Sequence, residues 1–123
     1  MVADRSRRAP GELESEILAA LWASASPRTP ADLHAELGDD LAYKTVHATL
    51  SRLAHKGRIR RVQHAGRAAY TPVHGAARDA AERMRMVLES VRDHRSVLQN
   101  FVDVLSPADE RALRALLAED GGE

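Results

Sequence analysis

Tyr43-Lys-Thr-Val-His-Ala-Thr-Leu-Ser-Arg-Leu-Ala-His-Lys-Gly57 decides the fold, because an apolar stripe and a cationic stripe share this one short segment. Wound as a helix at about 100° per residue, Val46, Leu50 and Leu53 fall on one line, with Tyr43 and Ala54 at its edge. Lys44, Ala48, Ser51, Arg52 and His55 fall on the opposite side, flanked by Thr45 and His47. A helix that hides aliphatics and shows cations, hydroxyls and a small alanine has the width and charge to enter a DNA major groove. Taken alone, the same pattern also describes an ordinary solvated helix.

The residues that follow favour the first reading. Gly57 is a helix stop of the left-handed type. Arg58-Ile-Arg-Arg-Val-Gln and Ala-Ala-Tyr-Thr-Pro72 flank His64-Ala-Gly-Arg67, which reads as two extended runs around a glycine turn. Ile59 and Val62 are three apart, a poor fit to strand alternation. Ile59 is therefore expected to pack under the preceding helix, with Val62 and Tyr70 covering the core further out. Arg60, Arg61, His64 and Arg67 populate the hairpin, and Ala65-Gly66 makes a tip small enough to approach a phosphate row or a minor groove.

Two helices precede this unit. Glu12 to Ser24 carries Leu13, Ile17, Leu18, Leu21 and Trp22 at helical spacing, with Glu12, Glu14 and Glu16 near its start, where negative charge suits the helix dipole. Trp22 is expected in the core. Ser26-Pro27-Arg28 breaks the chain, and Thr29-Pro30-Ala31-Asp32 carries a cap, a first-turn proline and a carboxylate placed to return a bond to the cap. Leu33 and Leu37 face inward before Gly38, and Asp39-Asp40-Leu41-Ala42 makes the turn into the third helix. Three helices and a basic hairpin spell a winged helix-turn-helix, so the fold class is mainly α (α+β).

From Ala76 onward Ala77, Ala81, Met84, Leu88, Val91, Leu98, Val102 and Leu105 step by threes and fours, with Arg95 interrupting an apolar position. The spacing predicts a helix from about Ala76 to Val91 and another from about Asp93 to Leu105. Ser106-Pro107-Ala108-Asp109 repeats the cap-and-proline signal and launches a last helix with Leu113, Leu116 and Leu117. These helices carry more aliphatic surface than an appendage can bury, so a second subunit is the expected cover, through Met84, Leu88, Val91, Leu98, Phe101, Val102, Leu105, Leu113, Leu116 and Leu117. Folding back onto the first domain is the other way to cover them. The expected organisation is a disordered basic arm over 1–10, a winged-helix domain over 11–75 and a helical dimerisation region over 76–123.

The chain has 123 residues and a formal net charge of zero, yet the charge is segregated. Leu41 to Arg78 holds no acid and eight cations, Lys44, Arg52, Lys56, Arg58, Arg60, Arg61, Arg67 and Arg78, whereas Asp79 to the end holds ten acids against six arginines. A local cationic field is what phosphate binding requires. With no cysteine, disulfides and thiolate chemistry are excluded. No signal peptide or apolar span is read, and a cytoplasmic protein away from membranes is expected.

Leu21-Trp22, the run from Leu41 to Gly57, and Tyr70-Thr-Pro-Val together resemble the penicillinase-repressor (BlaI/MecI/CopY) family, over roughly Gly11 to Leu117, most specifically around Thr45-Val46 and Leu50-Ser-Arg-Leu53. The resemblance implies a homodimeric winged-helix repressor on a palindromic operator in double-stranded DNA, with the third helix in the major groove and the C-terminal helices joining the subunits. Lys44, Thr45, His47, Ala48, Ser51 and Arg52 are then the candidates for base edges and adjacent phosphates, and Arg60, Arg61, His64 and Arg67 for the backbone. In the antibiotic-resistance members a membrane sensor with a zinc protease domain leads to cleavage of an Asn-Phe bond, which makes Asn100-Phe101 a candidate cleavage point here and a sensor protease a candidate partner. The copper-sensing branch is excluded by the missing cysteines, and glycines between the C-terminal helices are lacking.

No Gly-rich phosphate loop, His-Glu-x-x-His or serine elbow is present, and the six histidines are scattered, so no enzyme, cofactor or metal site is expected. Two other classes fit a winged helix. One is a protein-interaction module, which the acid-free window disfavours; the other is a ligand- or metal-responsive regulator of another winged-helix family.

Overall fold

The computed structural model describes residues 8–9, 11–38 and 40–121, with side chains to residue 119. Its elements run α1 (Glu12–Ala23), α2 (Pro30–Leu37), α3 (Tyr43–His55), β1 (Ile59–His64), β2 (Arg67–Pro72), α4 (Ala76–Glu89), α5 (His94–Val104) and α6 (Pro107–Gly121). The order and the types match the winged-helix expectation. The described residues up to Ala80 form one compact unit and those from Ala81 onward a second. Asp39, residues 1–7 and Pro10 lie outside the described residues, and with them most of the expected basic arm.

The first unit is built around one aliphatic core. Ile17, Leu18, Ala20 and Leu21 of α1, Leu33 and Leu37 of α2, Leu41, Val46, Leu50 and Leu53 of α3, and Ile59 of β1 are buried together. Leu13, Trp22, Ala54 and Tyr70 pack at its margin. Trp22 is thus half-buried rather than central, because its indole Nε1 reaches out to donate to the His74 carbonyl at 2.9 Å. A buried tryptophan must place that N–H, and here it ties α1 to the segment after the hairpin.

The caps form as the residues dictate. Thr29 Oγ1 accepts from the Asp32 amide at 3.0 Å, and the Thr29 amide donates to Asp32 Oδ2 at 3.0 Å, with Pro30 in the first turn. Helix α3 stops at Gly57, whose φ of 77° allows the Gly57 amide to reach Ala54 O and the Arg58 amide to reach Leu53 O, each at 3.0 Å. That double bond pattern is a Schellman cap, and it turns the chain directly into β1.

The strands pair antiparallel from Ile59 with Pro72 to His64 with Arg67, so the hairpin turn is Ala65-Gly66 alone. Both turn residues have positive φ, 51° and 78°, the geometry that matches strand twist in a two-residue turn. Ile59 is buried and Val62 half-buried. The strand pleat puts them on opposite faces, which resolves the awkward spacing. Ala69 is fully buried as well. Arg28, read from sequence only as part of a break, is bridged to Tyr70 by two backbone bonds of 3.0 and 2.8 Å and covers the outer edge of β2.

The second unit has a different character. Helix α4 ends at Glu89, and the chain restarts at Asp93, whose carboxylate accepts from the Ser96 amide at 3.1 Å and hydroxyl at 2.6 Å. The break therefore falls before Arg95, which lies inside α5. Ser106 Oγ accepts from the Asp109 amide at 3.1 Å to open α6. The closest pairings between elements, α2 with α3 and α1 with β2 among them, all belong to the first unit. Among the described residues no side chain after Asp79 is buried.

Candidate nucleic-acid interface

Helix α3 is held by its inner face and left open on its outer one. Val46, Leu50 and Leu53 have no exposed surface, and neither has Thr49, which shares their register three and four residues away. Thr49 avoids an unpaired buried hydroxyl by donating to the Thr45 carbonyl at 2.9 Å. Lys44, Thr45, His47, Ala48, Ser51, Arg52 and His55 are all exposed, side by side along the opposite face. Tyr43, half-exposed at 46 %, stands edge-on to His34 of α2 at 5.6 Å and to His47 at 4.8 Å between ring centroids. His34 Nε2 in turn donates to the Leu41 carbonyl at 2.6 Å, so a row of rings fixes the turn between α2 and α3.

The wing residues Arg60, Arg61, His64 and Arg67 are exposed too. Strand alternation puts Arg60 and His64 on one face, with Arg67 directly across from His64, and Arg61 on the other. Sequence grouped the four together; the pleat separates Arg61 from the rest. The Asp32 carboxyl is held below the usual aspartate range first by the Thr29 amide and hydroxyl, and the charges of Arg28 and Arg67 add to this.

Not every cation of the acid-free window is available to a phosphate. Arg58 makes a two-pronged bond to Asp79 of α4, 3.2 Å from Nε and 2.7 Å from Nη2, with both side chains largely buried. Glu14 of α1 receives Lys56 Nζ at 3.0 and 3.1 Å and Arg52 Nε at 3.4 Å, and lies 3.9 Å from Arg58 Nη1. Acids from outside the window thus neutralise part of its field, a tertiary effect that no count along the chain contains. Arg8 is likewise engaged with Glu16, so the described part of the expected arm is docked on α1.

Glu14 and Thr49 were not singled out from sequence, although a signal existed for both. Glu14 stands three, four and seven residues before Ile17, Leu18 and Leu21, on the core-facing stripe of α1. Its carboxyl is 14 % exposed. Burial works to raise its pKa, but the hydrogen bonds and charges of Lys56 and Arg52 outweigh this and hold it below the ordinary value.

The residues expected at a subunit contact lie on the surface of the second unit. Met84, Val91, Leu98, Val102, Leu116 and Leu117 are between 37 % and 64 % exposed, with Met86, Val87 and Val104 adding exposed aliphatic surface that sequence had not assigned. Leu88, Phe101, Leu105 and Leu113 are half-buried. Asn100 and Phe101 lie within α5, where Asn100 Nδ2 donates to the Ser96 carbonyl at 2.8 Å. Among the described residues no cluster of His, Cys, Asp and Glu has a metal-binding arrangement, and no helix is long and apolar enough to cross a membrane.

Residues 10–119 match the family model described as penicillinase repressor. The chain is also 33% identical over 114 residues to the protein named transcriptional regulator BlaI in Mycobacterium tuberculosis, strain CDC 1551 / Oshkosh, covering 89% of this chain and 83% of that one. The counterpart in strain H37Rv gives the same figures. With the winged-helix fold, these matches establish that the chain is a member of the penicillinase-repressor (BlaI/MecI/CopY) family of transcriptional repressors.

Proposed function

We propose that the chain represses transcription as a homodimer bound to a palindromic operator, with α3 in the major groove, the wing on the backbone, and α4 to α6 pairing the subunits. The carrying observation is the outer face of α3. Lys44, Thr45, His47, Ala48, Ser51 and Arg52 stand exposed together on a helix whose other face is anchored in the core, a slim surface bearing cations and hydroxyls and no acid. Arg60, His64 and Arg67 share a wing face suited to phosphates, and Arg61 supplies a cation on the other face.

The homodimer is supported by the second unit, whose helices expose aliphatic side chains and, among the described residues, bury none after Asp79. Two-fold pairing also lets one helix per subunit engage two half-sites. The role is binding rather than catalysis, carried out at the chromosome and without a cofactor. Release by a sensor protease cutting Asn100–Phe101 belongs to the same proposal; because the bond lies within α5, that helix must open before it can be cut.

Selection of duplexes from a randomised library by the full chain tests the reading. The expected product is a dyad-symmetric sequence whose affinity falls on Lys44→Ala or Arg52→Ala by about 1 to 3 kcal/mol where a bidentate base contact is lost. A protein-interaction module enriches no sequence, and unchanged affinity in both variants puts the DNA on another face.

A further inference from the structure

We propose that Glu14 is a positioning residue for DNA recognition: it presets the guanidinium of Arg52 and withholds Lys56 from indiscriminate phosphate contact, so that it sets sequence discrimination without touching DNA. The inference rests on the DNA-reading proposal above.

The geometry is specific. Arg52 Nε points back to Glu14 Oε2 at 3.4 Å, and Nη2 points to Thr49 Oγ1 at 3.2 Å. Thr49 is itself fully buried and fixed by its bond to the Thr45 carbonyl, so it is a rigid acceptor. Two of the three guanidinium nitrogens are thereby engaged on the protein side. Nη1 has no hydrogen-bond partner among the described residues, and the side chain remains 56 % exposed. A long side chain fixed before its ligand arrives loses less conformational freedom on binding, and a guanidinium held in plane is selective for a matching pair of acceptors.

Lys56 is the second half of the device. Its ammonium bonds both oxygens of the same carboxylate, at 3.0 and 3.1 Å, although it is half-exposed. A lysine on a flexible stem gives affinity for any phosphate, which adds to binding on every sequence alike. Glu14 neutralises that contribution. The carboxylate thus strengthens the contact that reads bases and weakens the one that does not.

The measurement is the ratio of the dissociation constant for the unselected library to that for the duplex selected by the wild-type chain, taken across a salt series. In Glu14→Gln the unselected library is expected to bind more tightly, with a salt slope steeper by about 1, and the ratio to fall roughly tenfold. Combining Glu14→Gln with Arg52→Ala is expected to give no further loss of ratio beyond Arg52→Ala. Glu14→Asp, one methylene shorter, is expected to move the ratio the same way by less, and carries the test if the glutamine variant melts.

A purely structural role lowers both affinities together and leaves the ratio where it was, which overturns the inference. An unchanged ratio in a folded variant overturns it too. Failure of the wild-type chain to enrich any duplex removes the DNA-reading proposal itself, a result distinct from either.

Discussion

The two units of this chain use similar helices to opposite ends. Up to Ala80, apolar positions meet one another: α1, α2, α3 and β1 close around Ile17, Leu33, Leu50 and Ile59 until these have almost no exposed surface. From Ala81 on, the helices are capped as carefully, by Asp93 and Ser106, but Leu98, Val102 and Leu117 remain on the outside. Caps and periodicity make helices in both places, while among the described residues the apolar faces are fully buried only in the first unit. The difference teaches that periodicity and caps specify a helix without specifying what covers it, and the proposed second subunit is the cover that the exposed side chains of the second unit call for.

The sharpest way to break that comparison is to truncate a matching leucine in each unit. Leu50→Ala empties a fully enclosed site and is expected to lower unfolding free energy by about 3 kcal/mol, read by denaturant titration. Leu98→Asp should leave the melting of the first unit intact and convert dimers to monomers in sedimentation. A Leu98→Asp chain that remains dimeric contradicts the assignment of the second unit.

Next in size is the ion pair at the edge of the first unit. Asp79→Ala strands the Arg58 guanidinium in a largely buried position and is expected to cost about 3 kcal/mol in the same titration. Loss of less than a third of that would mean the arginine escapes to water and is available to DNA after all.

At the hairpin tip, Ala65 occupies the left-handed region at φ 51°, where a Cβ is disfavoured. Ala65→Asn creates an Asn-Gly turn and is expected to stabilise the first unit by about 1 kcal/mol, measured as a rise in Tm.

The smallest effect is electrostatic. The folded-state pKa of Asp32 is lowered, chiefly by the Thr29 amide, so the unfolded chain binds the proton more readily. The capping contribution is present at and above the ordinary aspartate range and lost as pH falls through the lowered value. The stability difference between the wild-type chain and Asp32→Asn should therefore be constant at neutral pH and shrink in acid; a difference that grows in acid reverses the sign.

Much of this architecture was legible along the chain. Thr29-Pro30-Ala31-Asp32 announces its capping box, Gly57 its stop, and the register of Val46, Leu50 and Leu53 the buried side of α3, because each rests on neighbours within one turn. The interface was legible in its exposed residues and not in its charge balance. Arg58 is spent on Asp79 and Lys56 on Glu14, partners 21 and 42 residues away, which only the fold brings near. The bridge from Arg28 to Tyr70 was hidden for the same reason, being a backbone contact that no side chain advertises.

Because the chain has no native cysteine, a single introduced thiol can carry a DNA-cleaving iron chelate to one chosen place. Ala42→Cys puts it at the start of α3, and Ala19→Cys on the exposed side of α1. On the selected duplex the Ala42 probe is predicted to cut in two clusters related by a dyad, their centres about one helical turn or a multiple of it apart, and the Ala19 probe to cut weakly or not at all. Cutting from Ala19 with none from Ala42, or a single unsymmetric cluster, would contradict a paired repressor that reads DNA with the outer face of α3.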